Sequence, residues 1–190
     1  GLAIPIIIDG DGTRVSGNFI GVLPNGLTRV PNPIYGAGTP DEFGWEGHME
    51  FARHDQLIIG TDGDGVNDAD EGNILSGGLN TQTSFGTGEA AYGHVIELYG
   101  GNLRTNIVIA GNYVGVGIDG TTYLTNGTRL INGLGNNANL RIGSDFDGVS
   151  DALEANVIAN NHPFPDLFFD LSVDLPPDFI GADAGEIVSV

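Results

Sequence analysis

The chain carries one acidic segment twice, and this duplication constrains the fold more than any other feature. The first copy, GTDGDGVNDADEGN, runs from Gly60 to Asn73, and the second, GSDFDGVSDALEAN, runs from Gly143 to Asn156. Both copies follow the pattern D-x-D-G-x-x-D-x-x-E, so each carries four carboxylates in the same register. A fold for this chain therefore has to present two equivalent loops on two equivalent pieces of scaffold.

The rest of the chain is built from short apolar bursts separated by turn residues. Runs such as QLIIG, NIVIAG and NYVGVGI are rich in β-branched residues and bounded by Gly, Asn and Asp, which is typical of strands. Apolar residues at helical spacing are always interrupted by Gly or Pro, and the best helical candidate is one turn at 151–155. A Gly/Ala-Asn-x-aliphatic corner recurs, at Gly17-Asn18, Gly72-Asn73, Gly111-Asn112 and Ala155-Asn156.

Recurring corners between short strands favour stacked coils. A coil of ~20–25 residues cannot bury its inner face alone, whereas coils stacked ~4.8 Å apart pair their backbones and share one apolar column. An Asn at each corner can hydrogen-bond the corner backbone and tolerates a left-handed φ. We therefore predict an all-β parallel β-helix (solenoid), with an antiparallel sandwich as the alternative. Six residues are expected in one apolar column: Ile20, Ile58, Ile74, Val114, Ile142 and Ile158.

The predicted organisation has two parts. Residues 1–161 form the parallel β-helix repeats, interrupted by an inserted loop region at about 31–54. Residues 162–190 are Pro-rich and lack the Asn corners, so they are predicted to form a C-terminal cap or a final irregular coil. A cap would cover the exposed edges that a last coil leaves open.

Two segments also resemble a known family. GNYVGVGIDGTTYLTNG and NLRIGSDFDGVSDALEANVIANN resemble the repeats of right-handed parallel β-helix proteins that bacteria secrete or carry on the cell surface. The resemblance covers roughly residues 4–161 and implies the right-handed form of the solenoid. It says little about function, because the fold carries pectate-lyase-like enzymes, alginate epimerases, phage tailspikes and adhesins. The acidic loops are similar to the calcium repeats of thrombospondin-like and dockerin-like modules.

The acidic loops are candidate calcium sites. Hard cations take six to eight oxygen ligands, and a loop with four carboxylates and a central glycine can surround one. The predicted metal ligands are Asp62, Asp64, Asp68, Glu71, Asp145, Asp147, Asp151 and Glu154. Two alternatives remain open: a solvated acidic turn, and Asp side chains that cap backbone N–H groups without a metal. Asp9 and Asp11 form a shorter, weaker version of the motif, and Asp119 is interpreted as a simple turn residue.

Charge narrows the class of function. The chain has 25 acidic residues, six arginines, no lysine and no cysteine, and its net charge is -19. Such a charge argues against nucleic acid and anionic membranes as partners, and no apolar run is long enough to span a bilayer. We expect an extracellular or cell-surface structural or adhesive module of a surface layer, matrix or fibre, stabilised by calcium. Its expected partners are other protomers, in a homo-oligomer or filament, or extracellular polysaccharide.

The stretch EFGWEGHMEFARHDQ supports an alternative function. It contains the only Trp of the chain, next to carboxylates, histidines and an arginine, a combination that sugar-binding and sugar-cleaving sites use. The alternative is a polysaccharide-active, lyase- or epimerase-like enzyme or a carbohydrate-binding protein. Its site would lie near 45–55, with His48, Arg53 and His54 as catalytic candidates. A lid or a protomer contact would explain the same stretch. No nucleophile elbow, P-loop, HExxH or dinucleotide fingerprint occurs, so we lean against an enzyme.

Overall fold

The structure is a computed structural model of the chain. It describes residues 6–8, 10–30, 32–34, 47–52, 55–76, 78–80, 94–99, 104–124, 129–133, 137–158 and 167–169. The strands of this part, in chain order, are β1 (Ile6–Ile8), β2 (Arg14–Val15), β3 (Phe19–Ile20), β4 (Asn32–Ile34), β5 (Gly47–Ala52), β6 (Leu57–Gly60), β7 (Ile74–Leu75), β8 (Gly78–Asn80), β9 (His94–Tyr99), β10 (Arg104–Ala110), β11 (Tyr113–Val114), β12 (Arg129–Gly133), β13 (Asn137–Ile142), β14 (Val157–Ile158) and β15 (Leu167–Phe169). One 3-10 turn (Asp68–Asp70) and one turn of α-helix, α1 (Asp151–Glu154), complete the elements.

These strands form four sheets. Sheet A has five strands in the order β1-β5-β9-β12-β15, sheet B has the order β13-β10-β6-β2, sheet C has the order β14-β11-β7-β3, and sheet D pairs β4 with β8. All these strand pairs are parallel. In sheet C, neighbouring strands are the ones that follow the recurring Asn corners. The two copies of the longer repeat are separated by one strand in sheet B, where Ile59 of β6 and Ile142 of β13 lie on either side of Ile109 of β10.

The prediction of a right-handed parallel β-helix is wrong. The described residues form separate parallel sheets, two of them four-stranded, with a short helical turn in each acidic loop, and this part of the chain forms no closed solenoid. The physical reason is that a repeated corner specifies which strands are neighbours, but not how a coil closes. The Gly/Ala-Asn corner recurs only between a strand of sheet B and the following strand of sheet C.

The core lies between the inward faces of the sheets. Leu57 and Ile59 of β6 are fully buried, as are Ile107 of β10 and Leu75 of β7, and they belong to one cluster of apolar side chains. Alternate residues of a strand point to opposite faces, so the side chain between Leu57 and Ile59 faces away from this cluster. Apolar contact across the sheets therefore provides the main stabilisation of the described fold.

The predicted apolar column is confirmed for four of its six residues. Val114 and Ile158 belong to the core cluster, and Ile20 and Ile142 pack against it. Ile58 is only half-buried, because it aligns with Arg141 on the opposite face of sheet B. Ile74 is buried but lies near Ile118 and the turn at Gly26, while its neighbour Leu75 faces the core. A one-residue error in register places a side chain on the wrong face of a strand.

Stacked asparagines join the corners, as the sequence predicted. Asn18 donates its side-chain amide to Oδ1 of Asn73 at 3.0 Å, Asn73 donates to Asn112 at 2.9 Å, and Asn112 donates to Asn156 at 3.0 Å. The left-handed residue is not the Asn, however. It is the glycine before it in two corners, with φ of 68° at Gly17 and 69° at Gly111. We refer to these four asparagines as the asparagine ladder.

Part of the predicted inserted region forms strands. Within 31–54, Asn32–Ile34 is β4, and Gly47–Ala52 is β5, which pairs with β1 on one side and β9 on the other. Of the predicted C-terminal part, 162–190, the structure describes β15, which pairs with β12. The boundaries of the two predicted parts stay predictions.

Candidate metal centre

Each acidic loop connects a strand of sheet B to a strand of sheet C. Loop 1 (residues 60–73) follows β6, and loop 2 (residues 143–156) follows β13. Both loops begin at a glycine in the left-handed region, with φ of 99° at Gly60 and 92° at Gly143. Each loop ends at an Asn of the ladder, so the scaffold presents both loops in the same way.

Loop 1 is folded by side-chain oxygens that accept from backbone N–H groups. Asp68 accepts from the Thr61 hydroxyl at 2.8 Å and from the N–H of Gly65 at 2.8 Å. Asp64 accepts from the N–H of Val66 at 2.8 Å, and Asp62 lies within 3.4 Å of the N–H of Asp64. These hydrogen bonds fix the positions of the three carboxylates within the loop.

Loop 2 repeats this network residue by residue. Asp151 accepts from the Ser144 hydroxyl at 3.2 Å and from the N–H of Gly148 at 3.3 Å. Asp147 accepts from the N–H of Val149 at 2.7 Å, and Asp145 from the N–H of Asp147 at 3.2 Å. The proposed capping of turn N–H groups by Asp is therefore present in both loops, and it places the carboxylates in equivalent positions.

Three carboxylates converge in each loop. One oxygen each of Asp62, Asp64 and Asp68 lies within 4.8 Å of the other two, and Asp145, Asp147 and Asp151 form the equivalent group. Two groups of three Asp could therefore bind a metal ion. The donor set is oxygen only, which suits hard cations.

In each loop, an arginine binds the glutamate that was predicted as the fourth metal ligand. Arg14 contacts Glu71 and binds Asp62 at 2.6 Å, and Arg141 binds Glu154 at 2.6 Å and Asp145 at 3.0 Å. The Glu154 side chain is fully buried, so it depends on this guanidinium for its charge balance. Glu71 and Glu154 lie outside the two groups of three Asp, and their role as metal ligands stays a prediction.

The two loops touch each other. The guanidinium of Arg141 donates to the backbone carbonyl of Asp62 at 3.2 Å. A Cβ added at Gly63 would lie only 1.9 Å from Oε1 of Glu154. A side chain at residue 63 would displace the Glu154 carboxylate. The strand residue Arg141 thus ties loop 2 to loop 1.

One contact between the loops also changes a pKa. The pKa of Asp68 is lowered by hydrogen bonds that stabilise its carboxylate. The largest effect comes from the hydroxyl of Ser150 in loop 2, and smaller effects come from the Thr61 hydroxyl and the N–H groups of Gly65 and Gly63. Burial acts in the opposite direction without cancelling these hydrogen bonds. Asp68 therefore remains an anion, and an available metal ligand, to lower pH than an ordinary aspartate.

Each loop also closes back on the neighbouring corner. The N–H of Gly17 donates to the carbonyl of Glu71 at 2.8 Å, and the N–H of Gly111 donates to the carbonyl of Glu154 at 2.8 Å. A bulky side chain at residue 111 is excluded, since its Cβ would lie 2.7 Å from the carbonyl of Leu153. The end of each loop is therefore attached to the scaffold, whereas Asp64, Asp145 and Asp147 are exposed to solvent.

The weaker acidic candidates have structural roles where the structure describes them. Asp119 accepts from the N–H groups of Thr121 and Thr122 at 3.0 and 2.8 Å, which confirms the simple turn. The Asp11 carboxylate accepts from the N–H of Asp55 at 3.0 Å. Asp9 lies outside the described residues.

The residues of the alternative carbohydrate site are only partly described. His48 is in β5, at a position whose backbone alone is described, and Arg53 and His54 lie outside the described residues. Their predicted role stays a prediction.

Sequence reasoning missed two residues of the acidic loops and two arginines that contact them. Thr61 and Ser144 orient the third Asp of each loop, and a hydroxyl at the same place in both copies was the signal that could have identified them. Arg14 and Arg141 carry no such signal, because Arg14 is brought to Asp62 by the pairing of β2 with β6. Arg141 lies two residues before loop 2 in the sequence, but its contact with Asp62 of loop 1 is visible only in the structure.

Within the described ranges, no helix is both long and apolar enough to cross a membrane. Comparisons of the chain with models of protein families, with curated proteins and with solved structures found no match.

Proposed function

We propose that this chain is an extracellular structural or adhesive module whose two acidic loops bind calcium. The observation that carries the proposal is the pair of three-Asp groups, one in each copy of the repeated loop, with ligand oxygens within 4.8 Å of one another. Duplication preserved the fold of the loop, including the hydroxyl contact to the third Asp. A shared ligand accounts for keeping the carboxylates in both copies.

Calcium fits the loops better than the other common divalent ions. Zinc prefers nitrogen and sulfur ligands, and Mg²⁺ demands a compact octahedron and retains several of its waters. Ca²⁺ accepts six to eight oxygens in flexible geometry and is bound through carboxylates, carbonyls and water. Three carboxylates in a partly exposed loop leave room for such additional oxygens.

The proposed location outside the cell sets the affinity that we expect. Extracellular modules bind calcium with dissociation constants on the order of 10⁻⁴–10⁻³ M. A site of this strength fills where calcium is abundant. A net charge of -19 also favours cation binding and a saline medium that screens self-repulsion.

The proposed role of the ion is mechanical. Each loop is attached to the scaffold at its two ends, and between them three carboxylates repel one another. An ion would turn this repulsion into attraction and hold the loop against its neighbour. A module stiffened in this way suits a surface layer, matrix or fibre, with other protomers or extracellular polysaccharide as partners.

Calcium titration by isothermal calorimetry tests the proposal. We expect two ions per chain, one per chain for Asp145→Asn with Asp147→Asn, and none when Asp62→Asn and Asp64→Asn are added. Asp70→Asn is the matched control, since Asp70 is an exposed acid of loop 1 outside the three-Asp group, and it should retain two ions. Equal loss of binding in the control, or no binding by the parent chain at millimolar calcium, would contradict the proposal.

A further inference from the structure

Phe146 of loop 2 holds a backbone conformation that aromatic residues rarely adopt. Its φ is 60°, in the left-handed region, where a bulky side chain is an outlier. The equivalent residue of loop 1 is Gly63, with φ of 77°, and glycine adopts this conformation readily. The turn is therefore the same in both loops, but loop 2 forms it with a residue that opposes it.

Packing explains the glycine of loop 1 but not the phenylalanine of loop 2. The Glu154 carboxylate occupies the space beside Gly63, so no side chain fits there. Phe146, in contrast, is 54% exposed, so much of its ring stays in contact with water instead of stabilising the core. Glycine would satisfy this turn better than phenylalanine does. Backbone strain that packing does not require indicates a function for the side chain.

Phe146 is accompanied by other exposed apolar side chains. Val149 and Leu153 of loop 2 are both exposed. Cγ1 of Val149 lies 3.1 Å from the position of a Cβ added at Gly65 of loop 1, and the next residue of loop 1, Val66, is 60% exposed. We refer to Phe146, Val149, Leu153 and Val66 as the apolar patch. Exposed apolar side chains that are grouped in this way, with polar groups around them, mark interaction surfaces.

Carboxylates surround the apolar patch. Asp145 and Asp147 flank Phe146 in the sequence, and both are exposed, as is Asp64 of loop 1. Arg141 is already bound to Asp145, so it does not reverse the negative charge of this rim. An apolar patch with a negative rim is complementary to a partner that carries apolar side chains between basic ones.

We propose that the apolar patch docks a basic protein segment of a partner. The ring of Phe146 inserts among apolar side chains of the segment, and Arg or Lys side chains of the segment bind Asp147 and Asp64. Aromatic residues are enriched in the energetically dominant centres of protein interfaces. The left-handed turn holds the ring in contact with solvent before binding, so little conformational freedom remains to be lost when the partner arrives.

Charge disfavours the other occupants of the patch. A second copy of the chain has a net charge of -19 and no lysine, so it would bring like charges to the rim. A neutral polysaccharide could stack on the ring, but it would not use the carboxylates. The proposal does not depend on calcium. An ion bound in loop 2 should weaken docking, because it would neutralise part of the rim.

Peptide binding to the full chain tests the proposal. The probe is an amphipathic peptide of Leu and Lys, titrated by fluorescence anisotropy in calcium-free buffer at ~0.15 M salt to screen general attraction. Phe146→Gly with Leu153→Asp gives loop 2 the residues that loop 1 has at these positions, and it should weaken binding at least tenfold although it adds a negative charge. Tyr123→Ser removes an exposed aromatic residue outside the loops and should bind like the parent chain.

Four outcomes would overturn the proposal. Absence of binding by the parent chain, or equal binding by the parent chain and the loop 2 variant, would show that the patch does not dock the peptide. Equal loss in Tyr123→Ser would show that the effect is not specific to the patch. Equally tight binding of a Leu and Ser peptide would show that the carboxylates take no part. Self-association, or binding of a neutral polysaccharide, that only Phe146→Gly abolishes would assign the patch to that occupant instead.

Thermal unfolding separates a docking residue from a packing residue. Phe146→Gly alone should leave the melting temperature unchanged or raise it by about 2–4 °C, because it removes the strain of the left-handed turn, while it weakens peptide binding. Phe146→Asn should do the same, since asparagine tolerates this conformation. A fall of the melting temperature in both variants would show that Phe146 serves the fold, and it would contradict the proposal.

Discussion

Asparagines determine the corner geometry at the scale of single residues. Asn112 is 1% exposed, and its side-chain amide donates to the carbonyls of Ile59 and Ala110 at 2.9 and 3.1 Å, as well as to Asn156. Its Oδ1 accepts from the backbone and side chain of Asn73. One side chain therefore satisfies buried groups on three neighbouring strands or corners, which an apolar residue cannot do.

Replacing an asparagine by alanine should lower the free energy of unfolding more in the middle of the ladder than at its end. Asn112→Ala leaves the buried N–H of Asn73 without its acceptor, so we expect the free energy of unfolding to fall by about 2–4 kcal/mol. Asn18→Ala is the matched control. Asn18 is exposed, and its backbone N–H would still donate to Asn73, so a loss of about 1 kcal/mol or less is expected. Urea unfolding measures both values, and equal losses would contradict a ladder that acts through burial.

Asp119 should make stability depend on pH in a narrow window. Hydrogen bonds from the Thr122 hydroxyl, and then from the N–H groups of Thr122 and Thr121, lower the pKa of Asp119 to about 2. A carboxyl whose pKa is lower in the folded state stabilises the fold above its unfolded pKa, and this contribution is lost as the pH falls through the folded pKa. The parent chain should therefore lose more stability between about pH 4 and pH 2 than Asp119→Asn does.

The comparison needs a variant with the same change of charge. Asp70→Asn removes one exposed carboxylate without touching the Asp119 turn. We expect it to follow the parent curve between pH 4 and pH 2. If Asp119→Asn and Asp70→Asn have the same pH dependence, the turn makes no specific contribution.

At the scale of elements, each acidic loop depends on one arginine of sheet B, but the two arginines lie in different surroundings. The Arg141 side chain is 17% exposed and faces the fully buried Glu154, whereas Arg14 is 36% exposed. Breaking a buried ion pair leaves an uncompensated charge, whereas exposed pairs contribute little. The two loops therefore offer a matched comparison within one molecule.

Arg141→Met should destabilise the fold by about 3 kcal/mol, and Arg14→Met by about 1 kcal/mol or less. Adding Glu154→Gln to Arg141→Met should restore part of the loss, because the neutral amide removes the buried charge that Arg141 leaves behind. Chemical unfolding of the three variants measures these differences. A double variant no more stable than Arg141→Met would indicate that Arg141 acts through packing.

The same elements show how far the sequence predicts the structure. The Gly/Ala-Asn corners predicted which strands of sheet C are neighbours, and the duplicated loop predicted the convergence of Asp62, Asp64 and Asp68, because identical local sequences adopt identical turns. The solenoid prediction was wrong because it extended these local corners to the whole chain, whereas the connections to sheet A carry no repeated corner. Arg14 was missed because its contact with Asp62 depends on the register of β2 against β6, which lies outside the loop motif.

At the scale of the whole molecule, charge is the dominant physical property. A chain with 25 acidic and six basic residues repels itself in the compact state. Sodium chloride screens this repulsion, with a Debye length of ~10 Å at 0.1 M. General screening and specific ion binding both stabilise such a chain, so a rise of the melting temperature in calcium alone does not separate them.

Thermal unfolding in sodium chloride and in calcium chloride, compared at equal ionic strength, separates the two effects. Sodium chloride should raise the melting temperature of the parent chain and of Asp145→Asn with Asp147→Asn by similar amounts, since screening acts on the total charge. Calcium at 100 times its dissociation constant adds about 2.7 kcal/mol for each filled site, or roughly 5–10 °C for a chain of this size. The double variant should lose about half of this calcium-specific increment, because loop 1 still binds its ion. If the calcium and sodium chloride curves coincide at equal ionic strength, the paired loops are solvated acidic turns.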